Sequence, residues 1–292
     1  MNNAIAVGKF EAIHLGHELL IESTVEYAGL KSLDSAIISF APHPAKVLTG
    51  EEYKPLYTKR EQAFLLAGYG LDHWFTCPFD KDFANMLPID FCHLLKDKYS
   101  CNTLFVGVDF RFGRNREGTP EILETIGKEI EMRIITVPNM GGKQKISTSR
   151  IREHLASGQI EEANALLGRP FLIRGTVQKG RQLGRTIGFP TANVHPVEDK
   201  FLPPDGVYAA QITALGSKRM GVVNIGTNPT ITSDRHRKAE AHIFDFDADI
   251  YGEEIVIELF TFIRPERTFK GIDDLKKQIA ADAKAVLDFL SL

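Results

Sequence analysis

The stretch Gly8-Lys9-Phe10-Glu11-Ala12-Ile13-His14-Leu15-Gly16-His17 decides how the first half of this chain folds and where its chemistry begins. It follows a short apolar run, 4–7, and leads into a segment with helical spacing. A glycine-containing turn between strand and helix exposes backbone N–H groups at a positive helix end, which favours an anion. His14 and His17, three apart, fall on one face of the opening helical turn. Imidazole donates to phosphate oxygens without a permanent charge, so the pair suits a triphosphate whose charge shifts during reaction.

The totals frame that site. At 292 residues the chain is long enough for two domains, each with its own core. Hydrophobic residues at 43% and charged residues at 25% are the proportions of a globular protein. A net charge of -3 argues against nucleic acid as a partner, because phosphate backbones recruit basic surfaces. Cys77, Cys92 and Cys101 form no C-x-x-C pair and no zinc spacing, so they read as reduced, buried thiols. With no signal-peptide pattern and no run of ~18 apolar residues, the expected place is the cytoplasm, away from membranes.

Along the first half, strand and helix signals alternate. Apolar residues at Leu15, Leu19, Leu20, Thr24 and Tyr27 predict a helix over 15–27 that Gly29 stops. A buried strand over 35–40 ends in Pro42-His43-Pro44. Thr58 and Glu61 have capping-box spacing and open a helix that ends near Gly70. A strand over 73–76, a helix opened by Pro88, a strand over 103–106 and a helix opened by Thr119-Pro120 follow. After a strand over 133–137, Ser149 is placed to cap a helix over 150–156 that Gly158 ends. This alternation predicts a parallel sheet with crossover helices, whose ligands sit at the carboxyl ends of strands. The loops 8–17, 40–44 and 107–113 all follow strands and so can converge.

A short helix over 160–167 ends at Gly168-Arg169-Pro170, where the texture changes and the domain boundary is placed. Strands over 207–213, 221–225, 239–246 and 255–263, separated by glycine and proline, predict a small antiparallel barrel. A final helix carries Leu275, Ile279, Val286 and Leu290 on one stripe, with Asp273 and Asp274 at its start. Within this half, Thr191 and Asn193 are two apart, so on an extended segment their oxygens face one side. Hydroxyl and amide oxygens are hard ligands suited to Mg²⁺ carrying a nucleotide. The glycine-rich basic loop Lys179-Gly180-Arg181-Gln182-Leu183-Gly184-Arg185 reads either as a flap over ATP phosphates or as an ordinary flexible hairpin.

Several of these motifs carry a family resemblance. His14-Leu15-Gly16-His17 resembles the HxGH signature of nucleotidylyltransferases. Ile146-Ser147-Thr148-Ser149-Arg150-Ile151-Arg152 is similar to that superfamily's second signature, I-S-S-T-x-x-R. Pro190-Thr191-Ala192-Asn193 resembles the P-T-A-N signature of riboflavin kinases. Gly206-Val207-Tyr208, the run Asn224-Ile225-Gly226-Thr227-Asn228-Pro229-Thr230 and Glu240-Ala241-His242 continue the match. Tyr251-Gly252-Glu253, Ile263-Arg264-Pro265-Glu266 and Phe269 complete it. Nearly the whole chain therefore looks like a bifunctional bacterial riboflavin kinase/FMN adenylyltransferase, the FAD synthetase family.

The resemblance implies an α/β, Rossmann-like nucleotidylyltransferase domain over 1–168. A small antiparallel β-barrel, a riboflavin-kinase domain with a C-terminal helix, follows over 169–292. It implies Mg²⁺, ATP as co-substrate, riboflavin, FMN and FAD as flavin partners, and pyrophosphate as product. Gly8, Phe10, His14, Gly16, His17, Ser147, Thr148, Ser149, Arg152, Gly180 and Arg185 are the implied ATP contacts. His14, His17 and Arg152 stabilise the nucleotidyl transfer, and Glu240 is the base that takes the riboflavin hydroxyl proton. Thr191 and Asn193 help hold the metal. Pro42, His43, Asp109, Phe112, Arg264 and Phe269 are placed on the flavin side.

Two other readings compete: a riboflavin kinase with an impaired transferase module, and a flavin-responsive regulator without turnover. HxGH by itself also admits transfer to phosphopantetheine or nicotinamide mononucleotide, which the kinase-like half disfavours. One departure stands out. The family carries Phe-Asp-Gly before its first histidine, and this chain has Phe10-Glu11-Ala12. Glutamate moves the carboxylate out by ~1.5 Å, and the Ala12 Cβ resists a turn with positive φ. Adenylylation rate and flavin fit are where the chain is expected to differ.

Overall fold

The computed structural model describes residues 2–140, 146–179, 188–196, 200–227, 237–269 and 271–290. Gly180 and Arg185, two of the expected ATP contacts, lie outside them, as do Asn228-Pro229-Thr230. By contact the chain divides into Met1–Lys54 with Gln62–Ser147, and Pro55–Glu61 with Thr148–Leu292.

In the first unit, β1 (Asn3–Val7), β2 (Asp34–Ala41), β3 (His73–Pro78), β4 (Cys101–Gly107) and β5 (Arg133–Val137) form one sheet. Its order is β3-β2-β1-β4-β5 and every pairing is parallel. β1 is buried on both faces, which is why its sequence is a continuous apolar run rather than an alternation. Ala4 and Ala6 pack with Leu20 and Ile21 of α1 (Leu15–Lys31). Ile5 and Val7 pack on the other side with Phe91 and Leu95 of α5 (Pro88–Tyr99). The strand order reverses between β1 and β4, so the loops after β2, β1 and β4 leave three adjacent strands at their carboxyl ends.

Helix α1 runs through Gly29 to Lys31 and is closed by Ser32 at φ 53, whose N–H returns to the Ala28 carbonyl. A glycine in an exposed helix costs only about 1 kcal/mol, less than burial of Ile21, Thr24 and Ala28 contributes. Two short helices escape the periodicity, α2 (Pro44–Thr49) and α4 (Lys81–Ala84). Each is started by a side-chain cap, His43 and Asp80. Thr119 caps α6 (Pro120–Glu129) as its sequence predicts. All three cysteines are buried and free, and burial alone pushes the Cys92 thiol up to about 12, which makes it inert.

Helix α3 (Lys59–Leu66) has residues assigned to both units, those up to Glu61 to the second. Its capping box is reciprocal: Thr58 N–H donates to Glu61 Oε2 at 2.8 Å, and Glu61 N–H to Thr58 Oγ1 at 3.2 Å. α7 (Thr148–Ala156) begins one residue before Ser149, which therefore lies in the first turn instead of capping it. α8 (Ile160–Leu167) ends at Gly168 with φ 77. Asn164 Nδ2 donates to the Leu259 carbonyl at 2.8 Å, holding α8 on the barrel.

The barrel is closed, in the order β10-β7-β6-β11-β8-β9. Its strands are β6 (Phe171–Gln178), β7 (Ala192–Pro196), β8 (Gly206–Ala214), β9 (Ser217–Thr227), β10 (Arg237–Ile243) and β11 (Glu254–Pro265). Every pair is antiparallel. β6 and β7 are not legible as strands in the sequence, because Gly175 interrupts one and the other is five residues ending in proline. β10 stops at Ile243, short of the expected end at 246, because Phe244 and Asp245 turn, Asp245 with φ 51. Ile255, Ile257, Leu259 and Thr261 of β11 are buried, the alternation the sequence shows. α9 (Ile272–Leu290) seats Val286 on Val207, Ala209 and Val222, and its Asp282 grips Arg264 through both oxygens at 2.9 and 2.7 Å.

A buried ion pair secures residues 55–61 in this unit. Lys200 Nζ lies 2.8 Å from both oxygens of Glu61 and donates to the Leu172 carbonyl at 2.9 Å. The Arg174 N–H adds a further bond to Glu61 at 2.8 Å. Burial pushes the Lys200 ammonium below its usual range, and the Glu61 carboxylate opposes that shift. Removing one partner leaves the other charge stranded. Lys200→Met is expected to cost about 3–5 kcal/mol in denaturant unfolding. The double substitution Glu61→Gln with Lys200→Met is expected to recover part of it, and strictly additive losses would refute the coupling.

Candidate functional site

The loop after β1 carries the first cluster. Gly8 N–H donates to the Ile38 carbonyl at 3.2 Å, and a Cβ there would meet the Phe10 ring at 3.2 Å. Phe10 is buried and, with Ile13, holds a left-handed backbone, φ 45 and 46. Two such non-glycine residues in one loop are unusual. The Gln62 amide nitrogen donates to the Phe10 carbonyl at 3.2 Å, which fixes the loop.

His14 caps α1: its Nδ1 accepts the His17 N–H at 3.3 Å. An imidazole nitrogen that accepts a backbone N–H carries no hydrogen, so the His14 hydrogen sits on Nε2 as a donor. The His14 and His17 rings stack at 3.8 Å, 10° from parallel. A Cβ at Gly16 would lie 3.3 Å from the His14 ring, so the glycine leaves room for the pair. The helix end and two imidazoles thus share one corner, suited to an anion.

Glu11 and Ala12 behave differently from expectation. Ala12 is fully buried but is not left-handed, so its Cβ meets no backbone penalty; the strain falls on Phe10 and Ile13. Glu11 is 2% exposed, and its Oε2 accepts from the Tyr53 hydroxyl and lies 3.3 Å from His43 Nε2. His43 Nδ1 accepts the Ala45 N–H at 3.2 Å, and its Nε2 is buried beside the carboxylate without a hydrogen bond to it. Tyr53 stacks flat on His43 at 4.1 Å and 3°. The longer glutamate therefore reaches the loop after β2. Sequence reasoning misses Tyr53, because a tyrosine that follows a short helix and belongs to no motif gives no signal of its own.

The other first-unit candidates follow their strands. Pro42 and Asp109 are exposed, whereas the Phe112 ring packs 4.4 Å from Phe91 in the core. The second signature straddles the contact division, Ser147 in the first unit and Thr148 to Arg152 in the second. Arg152 lies over the Phe201 ring at 5.0 Å.

The barrel carries the second cluster. Register sets Glu240 of β10 opposite Asn193 of β7 and Asn224 of β9, one row across three strands. Ala239 and Ala241 on either side are fully buried in the barrel, which turns Glu240 outward. Lys238, on the same face, lies 2.6 Å from Glu240 Oε1 and 2.9 Å from Asn193 Oδ1. Asn224 Nδ2 donates to Glu266 Oε1 at 2.7 Å, and a Cβ at Gly226 would collide with that carboxylate. Arg264 is held by Asp282, and its guanidinium lies 6.0 Å from the Phe269 ring. Lys238, Asn224 and Glu266 have no role on sequence grounds, because only strand pairing makes them neighbours.

Thr191 precedes β7 and lines a cavity of about 300 Å³ with Val177, Ala241, Ile243, Ile250 and Tyr251. Lys179, at the start of the basic loop, lies 5.7 Å over the Tyr251 ring. Among the described residues no three His, Cys, Asp or Glu cluster as a metal site. The oxygens at Asn193 and Glu240 already receive one cation, the Lys238 ammonium, so the donor set fits a hard ion.

A parallel sheet with a histidine pair at a helix start, in one chain with a closed barrel bearing an Asn–Glu–Asn row, defines a two-module transferase. Residues 1–150 match the family model described as FAD synthetase, and residues 167–290 the one described as riboflavin kinase. The bifunctional riboflavin kinase/FMN adenylyltransferase of Listeria monocytogenes is 34% identical, over 100% of this chain and 93% of that protein. Its Escherichia coli K12 counterpart is 37% identical, over 99% and 93%. The chain belongs to the bifunctional riboflavin kinase/FMN adenylyltransferase family. It is also similar to a solved structure from Streptococcus pneumoniae described as a macrolide-efflux protein, with TM-score 0.86 and 30% identity over 98% of this chain and 94% of that one. Among the described residues no helix is long and apolar enough to cross a membrane.

Proposed function

We propose that this chain phosphorylates riboflavin to FMN on its barrel and adenylylates FMN to FAD on its α/β module. The observation that carries the reading is that two family models, one for each module, match the two halves of a single chain. We set the functional boundary at 168/169, the Gly168 turn, although α7 and α8 group with the barrel by contact. The cytoplasm, where ATP is made and used, is the proposed place of work.

In the kinase step Glu240 takes the proton of the riboflavin 5′-hydroxyl as that oxygen attacks the γ-phosphorus of ATP, the β–γ anhydride bond breaks and ADP leaves. Asn193 and Thr191 are the proposed metal contacts, and a bound Mg²⁺ supplies charge neutralisation at the phosphate oxygens. The adenine is assigned to the cavity at Val177, Ile243 and Tyr251, whose volume of about 300 Å³ is at the small end for ligand pockets. Gly180 and Arg185 are proposed, from their sequence, to cover the phosphates. Phe269 contacts the flavin, while Arg264, gripped by Asp282, fixes the segment that carries it.

In the transferase step the FMN phosphate, already an anion, attacks the α-phosphorus of a second ATP and pyrophosphate leaves. No protein nucleophile is needed, so catalysis is positioning and charge stabilisation. His14 offers Nε2–H, His17 stands beside it, and Gly8, Phe10 and Gly16 shape the loop. Ser147, Thr148, Ser149 and Arg152 are assigned to phosphate from their signature. Pro42, His43, Asp109 and Phe112 are assigned to the flavin side, Phe112 half-buried against the core.

Incubation with riboflavin, ATP and Mg²⁺, with flavins resolved by chromatography, tests the whole reading. FMN is expected first and FAD after it. FMN alone would leave a kinase with an impaired transferase, and neither product would leave a flavin-responsive binder.

A further inference from the structure

Lys238 is the cation of the barrel site that the proposed reaction does not use. Its side chain is 13% exposed, and an ammonium that deeply placed needs partners. It has two: Glu240 Oε1 at 2.6 Å and Asn193 Oδ1 at 2.9 Å. These are the proposed base and a proposed metal contact, opposed in the β7–β10 register. One ammonium therefore bridges the two oxygens that the reaction requires for other purposes. An oxygen of Glu240 that receives the ammonium presents only its fellow oxygen to a substrate hydroxyl. An amide oxygen of Asn193 that accepts from Lys238 faces a positive charge where a metal ion would approach.

We propose that Lys238 is a positioning residue that acts as a built-in counter-cation: it holds Glu240 and Asn193 together and is displaced when a divalent ion takes the Asn193 oxygen. Displacement releases Glu240 Oε1 as the metal nucleotide arrives, so both carboxylate oxygens become free of the ammonium in the loaded site. This rests on the kinase reading of the barrel, and it deepens that reading by naming what the metal must replace. Two cations brought to one amide oxygen repel each other at close range, so competition is the physical expectation.

The test is a titration of Mn²⁺ alone into the full-length chain, followed by the electron paramagnetic resonance signal of free Mn²⁺, with circular dichroism to confirm folding. Lys238→Met is expected to bind Mn²⁺ at one site about tenfold tighter than the wild type, and Lys238→Arg to bind like the wild type. Adding Asn193→Ala to Lys238→Met is expected to abolish the gain. Should Lys238→Met not fold, Lys238→Gln replaces it in the same titration, since it keeps a polar end without the charge. Mn²⁺ affinity unchanged by loss of the ammonium, or a gain that survives Asn193→Ala, overturns the proposal. In the same preparations, the Mg²⁺ concentration for half-maximal FMN formation is expected to fall with the gain. A wild type that makes no FMN overturns the kinase reading instead, because the Mn²⁺ competition is read without turnover.

Discussion

Glu240→Gln is expected to lower FMN formation from riboflavin by about 10²–10⁴, the usual worth of a general base. The substitution keeps the side chain's length and leaves an amide oxygen to accept from Lys238, so the β7–β10–β9 row stays assembled. What it removes is the ability to take the hydroxyl proton. FAD formation from supplied FMN is expected to continue at the wild-type rate, since that step needs no base on the barrel. Measuring both products on one preparation decides the matter. Equal loss of the two activities would point to a folding defect or to a shared site, and either would end the assignment.

His17→Ala is expected to do the reverse: FAD formation falls by about 10²–10³ and FMN accumulates. The local fold has reason to survive, because His14, not His17, supplies the side-chain cap of α1, and the N–H it accepts belongs to the backbone. The loss is of one imidazole at 3.8 Å from its partner, at the helix end where the triphosphate is proposed to lie. Pyrophosphate release with supplied FMN and ATP is the direct readout. Unchanged FAD output would remove His17 from the site.

Much of this is legible in the chain itself. The strand–loop–helix at Gly8 to His17 can be read because β1 is buried on both faces and so spells an uninterrupted apolar run. The Thr58–Glu61 cap and the Thr119 cap are readable because capping is local: donor and acceptor lie three residues apart. The alternation in β11 is readable because one face is buried in a closed barrel and the other is not. Where local signals mislead, a longer-range term has won. Gly29 reads as a helix stop, yet α1 continues because its buried face outweighs one exposed glycine.

The Glu11-Ala12 departure shows the limit of such reading. From the sequence, Ala12 threatens a left-handed turn; in the fold the left-handed residues are Phe10 and Ile13, and Glu11 uses its extra length to reach Tyr53 and His43. The contact with Tyr53 spans 42 residues, and nothing local encodes it.

Periodicity and caps were enough to read an α/β half followed by a β-rich half, and short spacing to single out the His14–His17 and Thr191–Asn193 pairs; Glu240 came from the family resemblance alone. Three features waited for the folded chain: Lys238 bridges Asn193 and Glu240, Asn224 joins their row, and Lys200 answers Glu61 across 139 residues. Strand register and buried charge pairing are set by which surfaces meet when the chain closes, and a period-2 pattern is the same whichever strand lies alongside.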